Sequence, residues 1–597
     1  MSDQQNSFQD ALGFTSILQG IEASYKQAEQ LLKQFTTPTE KADFDPLRMG
    51  DVYSELFAHM RENPQKVLTA NIDFWKKSLQ LYQSSLQSML TQQPMEEVVE
   101  AEKSDRRFKH EGWEQPSFNM IKQSYLLLSQ HLLRLVKETE GLDDKTAQRA
   151  EFFTQLFLNA LSPTNFANSN PQVMERVIET RGMSLLHGLK NMIEDLERGE
   201  GKLQISMTDY KAFELGRNVA TTPGKVVYEN RMFQLIQYTP ATEQVNKTPL
   251  LIVPPWINKY YILDLQEKNS LIYWLVEQGH SVFVISWVNP DESYADVGFE
   301  EYLKEGVLTA VDQVEQATGE KHINAIGYCI GGTLLATTLA YMAAKGDDRI
   351  KSATFFTSMI DFSEPGELGM FIDEDQLSSL EQKMDEAGYL DGSKMSGTFN
   401  LLRSNDLIWS FYINNYLLGN DPRAFDLLYW NSDSTRMPAK MHKWYLRNLY
   451  LYNNLVKPGE LVIDGTPIDL SKIKTPAMFI STIDDHIAPW KSTWMGAQLL
   501  SGPVKFVLGG SGHIAGIVNP PAANKYGYRM TAAKLPRDAQ AWADKAKVQE
   551  GSWWPAWDKW VSKYAGEKID ARHPGDHQLK VIEDAPGRYV KSKIVNI

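Results

Sequence analysis

Apolar positions along the chain change their spacing once, near residue 208. Before that point they recur every three or four residues. Trp75, Leu79, Tyr82, Leu86 and Met89 form one stripe of an amphipathic helix over 72–90. Ile121, Tyr125, Leu128, Leu132 and Leu135 form a second stripe, and 147–160 and 171–197 read as further helices, separated by the turn-rich Ser162–Pro171. Pro94–Lys103 reads as a charged linker. The first stripe predicts a helix packed on its own domain or on a second copy, and the other reading is a face that docks on a hydrophobic particle or a partner protein. No catalytic groups cluster before residue 208, so residues 1–208 are expected to be a helical scaffold domain.

After 208 the pattern becomes short apolar runs alternating with amphipathic helices. Val226–Tyr228 and Phe233–Tyr238 read as an antiparallel pair. Pro249–Val253, Ser281–Ser286, Ala353–Thr357, Pro476–Ser481 and Val504–Leu508 read as buried strands, with helices over 270–279, 299–318 and 491–500. Continuous apolar strands between helices predict a parallel sheet covered on both faces. The rhythm breaks over about 362–473, where Phe371, Trp409, Phe411, Tyr412, Tyr416, Tyr429 and Trp430 are scattered without alternation. So long an insertion between core strands predicts a lid. Its aromatics suit an acyl or polymer channel, or equally the lid's own core. The expected architecture is an α/β-hydrolase catalytic domain over 209–597 carrying this lid.

The candidate chemistry sits at strand ends. Gly327-Tyr328-Cys329-Ile330-Gly331 lies between the strand ending at Ile326 and a helix starting at Thr333. It has the nucleophile-elbow form with sulfur as the nucleophile. A helix N-terminus favours a thiolate there. The bland alternative is that Cys329 is a small buried hydrophobe. Partners decide against it: Asp484 and Asp485 follow one late strand, and His513 follows the next in a glycine-rich loop. The order nucleophile, acid, histidine is that of an α/β-hydrolase. His513 can take the thiol's proton, and a carboxylate behind it fixes its tautomer. Asp484 and Asp485 compete for that role, and His486 is an auxiliary candidate. The oxyanion of an attacked thioester needs two donors, expected from the backbone N–H of Ile330 and of the loop after Val253, at Ile257.

Composition narrows the classes. At 597 residues two domains are expected, and a net charge of −14 argues against a nucleic-acid partner. One cysteine excludes an internal disulfide and suits the cytosol. The start of the chain has no signal-peptide pattern, and no apolar run is long enough to span a membrane. No dinucleotide or P-loop motif appears, and neither cofactor nor metal is expected.

Gly-Tyr-Cys-Ile-Gly-Gly-Thr at 327–333, the Val-Pro-Pro-Trp-Ile-Asn-Lys-Tyr-Tyr-Ile-Leu-Asp-Leu run at 253–265, Asp-Asp-His-Ile-Ala-Pro-Trp at 484–490 and Ser-Gly-His-Ile-Ala-Gly-Ile-Val-Asn-Pro-Pro-Ala at 511–522 recur together in one family. With Ser-Asp-Arg-Arg-Phe at 104–108 and Gly-Ser-Trp-Trp-Pro-Ala-Trp at 551–557, they make the chain resemble the polyhydroxyalkanoate (PHA) synthases over about 104–565. The resemblance implies Cys329 as acylated nucleophile, His513 as general base and Asp485, immediately before His-Ile-Ala, as the acid, which helps activate the incoming hydroxyl. It implies transfer of (R)-3-hydroxyacyl groups from coenzyme A onto a polyester with release of CoA, and a single-subunit class I enzyme for short monomers such as 3-hydroxybutyryl. It further implies a homodimer in the cytoplasm that becomes granule-bound beside phasin-type proteins. Trp256 stands at a position that varies in the family, and no role attaches to it. A cysteine thioesterase or polyester depolymerase on the same fold is the nearest rival. A non-catalytic granule scaffold is a more distant one, since it would have no use for the acid and the histidine.

Overall fold

The computed structural model describes residues 49–91, 93–102, 105–531 and 534–593. The expected helical character of 1–48 and Ser104 of the Ser-Asp-Arg-Arg-Phe motif lie outside them. The chain divides into two compact units: residues up to Met207 with Thr398–Arg423, and Thr208–Gly397 with Ala424–Ile597.

The first unit is helical, with α1 (Met49–Glu62), α2 (Pro64–Thr91), α3 (Pro116–Lys137), α4 (Asp144–Ala160), α5 (Pro171–Glu179) and α6 (Met183–Arg198). Helix α2 turns Ala70, Leu81, Ser85 and Ser88 inward, while Trp75 is 69% exposed, Leu79 58% and Met89 57%. The stripe legible in the sequence therefore faces outward, and the smaller residues beside it make the packed face. The expected linker is instead part of the core. Met95 and Val99 are buried, and the Gln123 amide bridges the segment, accepting from the N–H groups of Val98 and Val99 (2.9 and 2.8 Å) and donating to the Val99 carbonyl (2.7 Å). Two apolar side chains outweigh the surrounding charge because the charges stay in water. Arg107 forks onto Asp105 and donates to the Tyr125 hydroxyl, so this part of the 104–108 motif is structural.

Thr398–Arg423, expected within the lid, belongs to the helical unit. Gly188 of α6 lies so close to Tyr416 that a Cβ there would meet the Tyr416 carbonyl oxygen at 1.8 Å. Tyr416 donates to the buried Asp195 (2.5 Å), and Asn191 donates to the carbonyls of Asn415 and Asn420.

The second unit is built on a ten-stranded sheet. Its strands are β1 (Gly224–Glu229), β2 (Phe233–Tyr238), β3 (Leu250–Val253), β4 (Val282–Trp287), β5 (Ile323–Tyr328), β6 (Ile350–Phe356), β7 (Ala477–Thr482), β8 (Val504–Gly509), β9 (Tyr528–Met530) and β10 (Glu583–Asp584). They lie in the order β9-β8-β7-β6-β5-β3-β4-β2-β1-β10. From β8 to β4 every neighbouring pair is parallel, and antiparallel strands extend both edges. Leu251, Val253, Phe283, Ile285 and Phe479 enter the core on one face. Leu250, Ile252, Val282, Val284 and Ile480 enter the core on the other. Alternate residues of one strand thus feed two cores, which is why these strands read as unbroken apolar runs.

Residues 357–476 intervene between β6 and β7 and hold mostly helices, among them Glu374–Ala387 and Ala439–Tyr445, with a π-helical turn at Leu446–Leu451. Parallel pairing aligns the ends of β3, β5, β6, β7 and β8 on one edge, with Val253 opposite Gly327, Tyr328 opposite Phe356 and Thr482 opposite Gly509. The site is built there. Among the described residues no helix is long and apolar enough to cross a membrane.

Candidate active site

Strand β5 turns into helix α7 (Ile330–Lys345) within a single residue, Cys329. Its backbone sits at φ 51°, ψ −124°, a conformation that costs a residue bearing a Cβ about 1–3 kcal/mol. Hydrogen bonds hold it there: Cys329 N–H donates to the Phe356 carbonyl (2.9 Å), and its own carbonyl accepts from Gly332 and Thr333 (2.9 and 3.2 Å). The glycines around it are set by space. A Cβ on Gly327 would meet Gly332 Cα at 2.4 Å, one on Gly331 the Val253 carbonyl oxygen at 2.3 Å, and one on Gly332 the Ser358 Oγ at 1.9 Å. Gly332→Ala is therefore expected to destabilise the unit by roughly 1–3 kcal/mol. A melting temperature equal to the parent's would contradict this packing.

Three residues past β7 comes Asp485, and four past β8 comes His513. Their loops are tied together, with Ile483 N–H on the Gly509 carbonyl (2.9 Å) and Asp484 N–H on the Ser511 carbonyl (3.0 Å). His513 Nδ1 lies 2.7 Å from Asp485 Oδ2, with both side chains almost wholly buried. Asp485 Oδ1 accepts from the backbone N–H of Ile487 and Ala488 (2.9 and 2.8 Å), so both oxygens of this buried carboxylate are used. The carboxylate that faces the histidine is Asp485, while Asp484 is exposed. His486 follows on the same loop, half-buried, outside the Asp485–His513 pair.

Cys329 is half-buried and close enough for its charge to act on His513, and with Nδ1 taken by Asp485 it is Nε2 that is left for the thiol. Burial by itself disfavours a charged imidazole, but the charges of Asp485 and Cys329 and their hydrogen bonds outweigh it and push His513 up to about 10. The arrangement therefore favours the imidazolium form of His513. Tyr328 stacks on the His513 ring, with centroids 5.9 Å apart.

The Gly-Ser-Trp-Trp-Pro-Ala-Trp segment holds the histidine loop from behind. Trp553 Nε1 donates to the Gly516 carbonyl (2.8 Å), Trp554 Nε1 to that of Ile517 (2.9 Å) and Trp557 Nε1 to Thr354 Oγ1 (2.9 Å). Nothing in that motif's composition pointed to a role next to His513.

The loop after β3 is fixed residue by residue. Trp287 Nε1 donates to the Pro254 carbonyl (2.9 Å), Thr435 Oγ1 to that of Trp256 (2.6 Å), and Trp430 Nε1 to that of Lys259 (2.7 Å). Asn258 bridges Ser434. The ammonium of Lys259 sits 2.5 Å from Asp433, buried on both sides, and Tyr261 donates to the other Asp433 oxygen (2.9 Å). Burial pulls the Lys259 pKa down and Asp433 partly restores it. Removing one partner of such a pair costs about 3–5 kcal/mol. Ile330 begins α7 and has no intrahelical acceptor for its N–H. Ile257 lies half-buried in the loop, and the contact of Gly331 with Val253 and Pro254 brings that loop alongside the helix start. Trp256, which carried no expectation, is buried among Trp287, Tyr302 and Tyr445.

The aromatics singled out in the sequence are not the ones nearest the nucleophile in charge. Trp409, Phe411, Tyr412 and Tyr416 go with the helical unit, and Tyr429 and Trp430 pack beneath the β3 loop. Tyr445 and Tyr450 instead meet edge to face, with ring centroids 5.7 Å apart, and both feel the charge of Cys329. Burial raises both phenols well above their ordinary range, followed by the charge of Cys329 at Tyr450 and by Tyr450 and then Cys329 at Tyr445. Their spacing of five suits the π-helical turn at Leu446–Leu451, in which residues five apart are brought into line. Among the described residues no group of three or more His, Cys, Asp or Glu is placed to hold a metal ion.

Comparison with known proteins puts this geometry in a context. Residues 104–275 match the family described as "Poly-beta-hydroxybutyrate polymerase (PhaC) N-terminus", and residues 248–520 match the alpha/beta hydrolase fold. The chain is 48% identical over 534 residues to a poly(3-hydroxyalkanoate) polymerase of Methylorubrum extorquens, covering 89% of this chain and 88% of that one. It is 47% identical to the poly(3-hydroxyalkanoate) polymerase subunit PhaC of Rhizobium meliloti, over 91% of this chain and 88% of that one. To the corresponding subunit of Cupriavidus necator it is 43% identical, over 82% and 83%.

Proposed function

We propose how this chain, which belongs to the polyhydroxyalkanoate synthase family and is a poly(3-hydroxyalkanoate) polymerase, an acyltransferase, carries out its acyl transfers. The substrate is a hydroxyacyl-CoA. His513 Nε2 takes the Cys329 proton, and the thiolate attacks the thioester carbonyl carbon. Backbone N–H groups of Ile330 and Ile257 hold the oxyanion. Collapse breaks the bond to the CoA sulfur, which leaves with the proton from His513, and the acyl group remains on Cys329. The hydroxyl of a further unit then gives its proton to His513 and attacks the acyl-cysteine. An ester bond forms, the C–S bond breaks and the thiol is restored. Exchange between two thioesters is nearly thermoneutral, so the acyl-enzyme stays reactive towards an alcohol. The observation that carries this reading is the 2.7 Å contact of His513 Nδ1 with the buried Asp485, beside a Cys329 whose charge acts on the same imidazole.

The monomer is short, as in a single-chain class I enzyme, and the large aromatics Tyr445 and Tyr450, which feel the charge of the nucleophile, support this. Full-length protein given (R)-3-hydroxybutyryl-CoA should release CoA and yield chloroform-extractable polymer, far faster than with (R)-3-hydroxyoctanoyl-CoA. CoA accompanied by free hydroxy acid would indicate a thioesterase, and faster turnover of the longer acyl group would overturn the monomer assignment.

The enzyme works in the cytoplasm as a homodimer and attaches to the polyester granule, alongside phasin-type proteins, through the exposed Trp75–Leu79–Met89 stripe of α2. Trp75→Lys with Leu79→Lys should move the protein from the granule pellet to the supernatant. An unchanged distribution would rule this face out.

A further inference from the structure

We infer that Thr435, in the insertion between β6 and β7, is a positioning residue that aims the second oxyanion donor. The inference rests on the acyl-cysteine reading above and adds a residue that the reading does not contain. Thr435 is buried, and its hydroxyl donates to the Trp256 carbonyl at 2.6 Å. That carbonyl and the Ile257 N–H belong to one peptide unit. The unit is planar and trans, so its C=O and N–H point in opposite directions. Holding the Trp256 oxygen towards Thr435 therefore turns the Ile257 N–H away from Thr435, on the opposite side of the peptide. Rotating this unit would spoil the donor without moving the loop.

The ties on either side leave that rotation as the remaining freedom. Upstream, Pro254 is held by Trp287, and Gly331 of α7 is packed against Val253 and Pro254. Downstream, Asn258 bridges Ser434, and Lys259 is held by Asp433 and Trp430. Thr435 is the hydroxyl that addresses the Trp256–Ile257 peptide between them. A hydrogen bond accepted by the carbonyl also polarises the N–H of the same unit and makes it a stronger donor. A valine has nearly the same shape as threonine but cannot make this bond, whereas serine can.

The test compares the full chain with Thr435→Val and Thr435→Ser, in single-turnover release of CoA from (R)-3-hydroxybutyryl-CoA and in alkylation of Cys329 by iodoacetamide. Alkylation uses the same thiolate and histidine but forms no oxyanion. Removing one oxyanion donor lowers turnover by about 10²–10³, so loss of its aim should slow acylation by Thr435→Val about tenfold or more. KM should stay within about twofold, because the donor acts in the transition state. Alkylation should keep its rate and pH profile, and Thr435→Ser should recover most of the acylation rate. Acylation by Thr435→Val at the parent rate would overturn the inference. So would alkylation falling in step with acylation, or a serine variant no better than valine, since Thr435 would then serve the packing alone. If the parent protein itself formed no acyl-cysteine, the underlying reading would fail, whatever the variants do.

Discussion

Cys329→Ala is expected to abolish polymer formation and to lower CoA release on the order of 10⁴-fold or more, since one member of a nucleophile–base–acid unit carries nearly the whole effect when removed. The chain contains one cysteine, so this variant has no thiol of its own and a thiol reagent reads released CoA alone. Binding should survive, because α7, the β3 loop and the insertion do not depend on the sulfur. Cys329→Ser tests the chemistry more finely. A hydroxyl in the elbow keeps the geometry, but an alkoxide is far harder to generate beside an imidazole than a thiolate. The ester it would form is also a poorer acyl donor than a thioester. The serine variant should therefore be nearly as inactive as alanine, and full polymerising activity would show that sulfur is not required.

Asp485→Asn is expected to slow acylation about 10⁴-fold while leaving the protein folded, as loss of the orienting carboxylate does in related nucleophile–base–acid sites. An asparagine can donate to Nδ1 and hold the wrong tautomer, leaving Nε2 protonated and unable to take the thiol proton. The direction of the pH effect follows from the charges. Asp485 and Cys329 together overcome burial and hold the His513 imidazolium. Without the carboxylate, burial still disfavours the cation, so His513 loses its proton at lower pH than in the parent, which a histidine NMR titration reads. Asp484→Asn, at an exposed neighbour, should leave both the rate and the titration near those of the parent. The opposite ranking of Asp484 and Asp485 would contradict the assignment.

The elbow was legible because strand, turn and helix leave a local pattern, and glycines at 327, 331 and 332 are forced by close approach of backbone and Ser358. The acid and histidine were legible because each follows a strand, although the choice between Asp484 and Asp485 needed coordinates or a family resemblance. Long-range contacts leave no such trace. Trp553 and Trp554 reach the histidine loop through single indole N–H bonds, and Thr435 reaches Trp256 across 179 positions. Tyr445 and Tyr450 leave no such pattern, because a spacing of five belongs to neither an α-helix nor a strand, and only the π turn makes it meaningful. On α2 the apolar stripe was visible but not its direction, since Ala70, Ser85 and Ser88 pack inward and carry little hydrophobic signal. The insertion was visible as a break in rhythm, but the sequence carried no mark that Thr398–Arg423 packs with the helical unit.

Mass analysis of the acid-quenched enzyme after mixing with (R)-3-hydroxybutyryl-CoA tests the role of Cys329 most directly. The expected result is a hydroxybutyryl adduct on the peptide containing Cys329, appearing as fast as the first equivalent of CoA and consumed as polymer grows. CoA release with an unmodified Cys329 peptide, or an acyl group found on another residue, would contradict it.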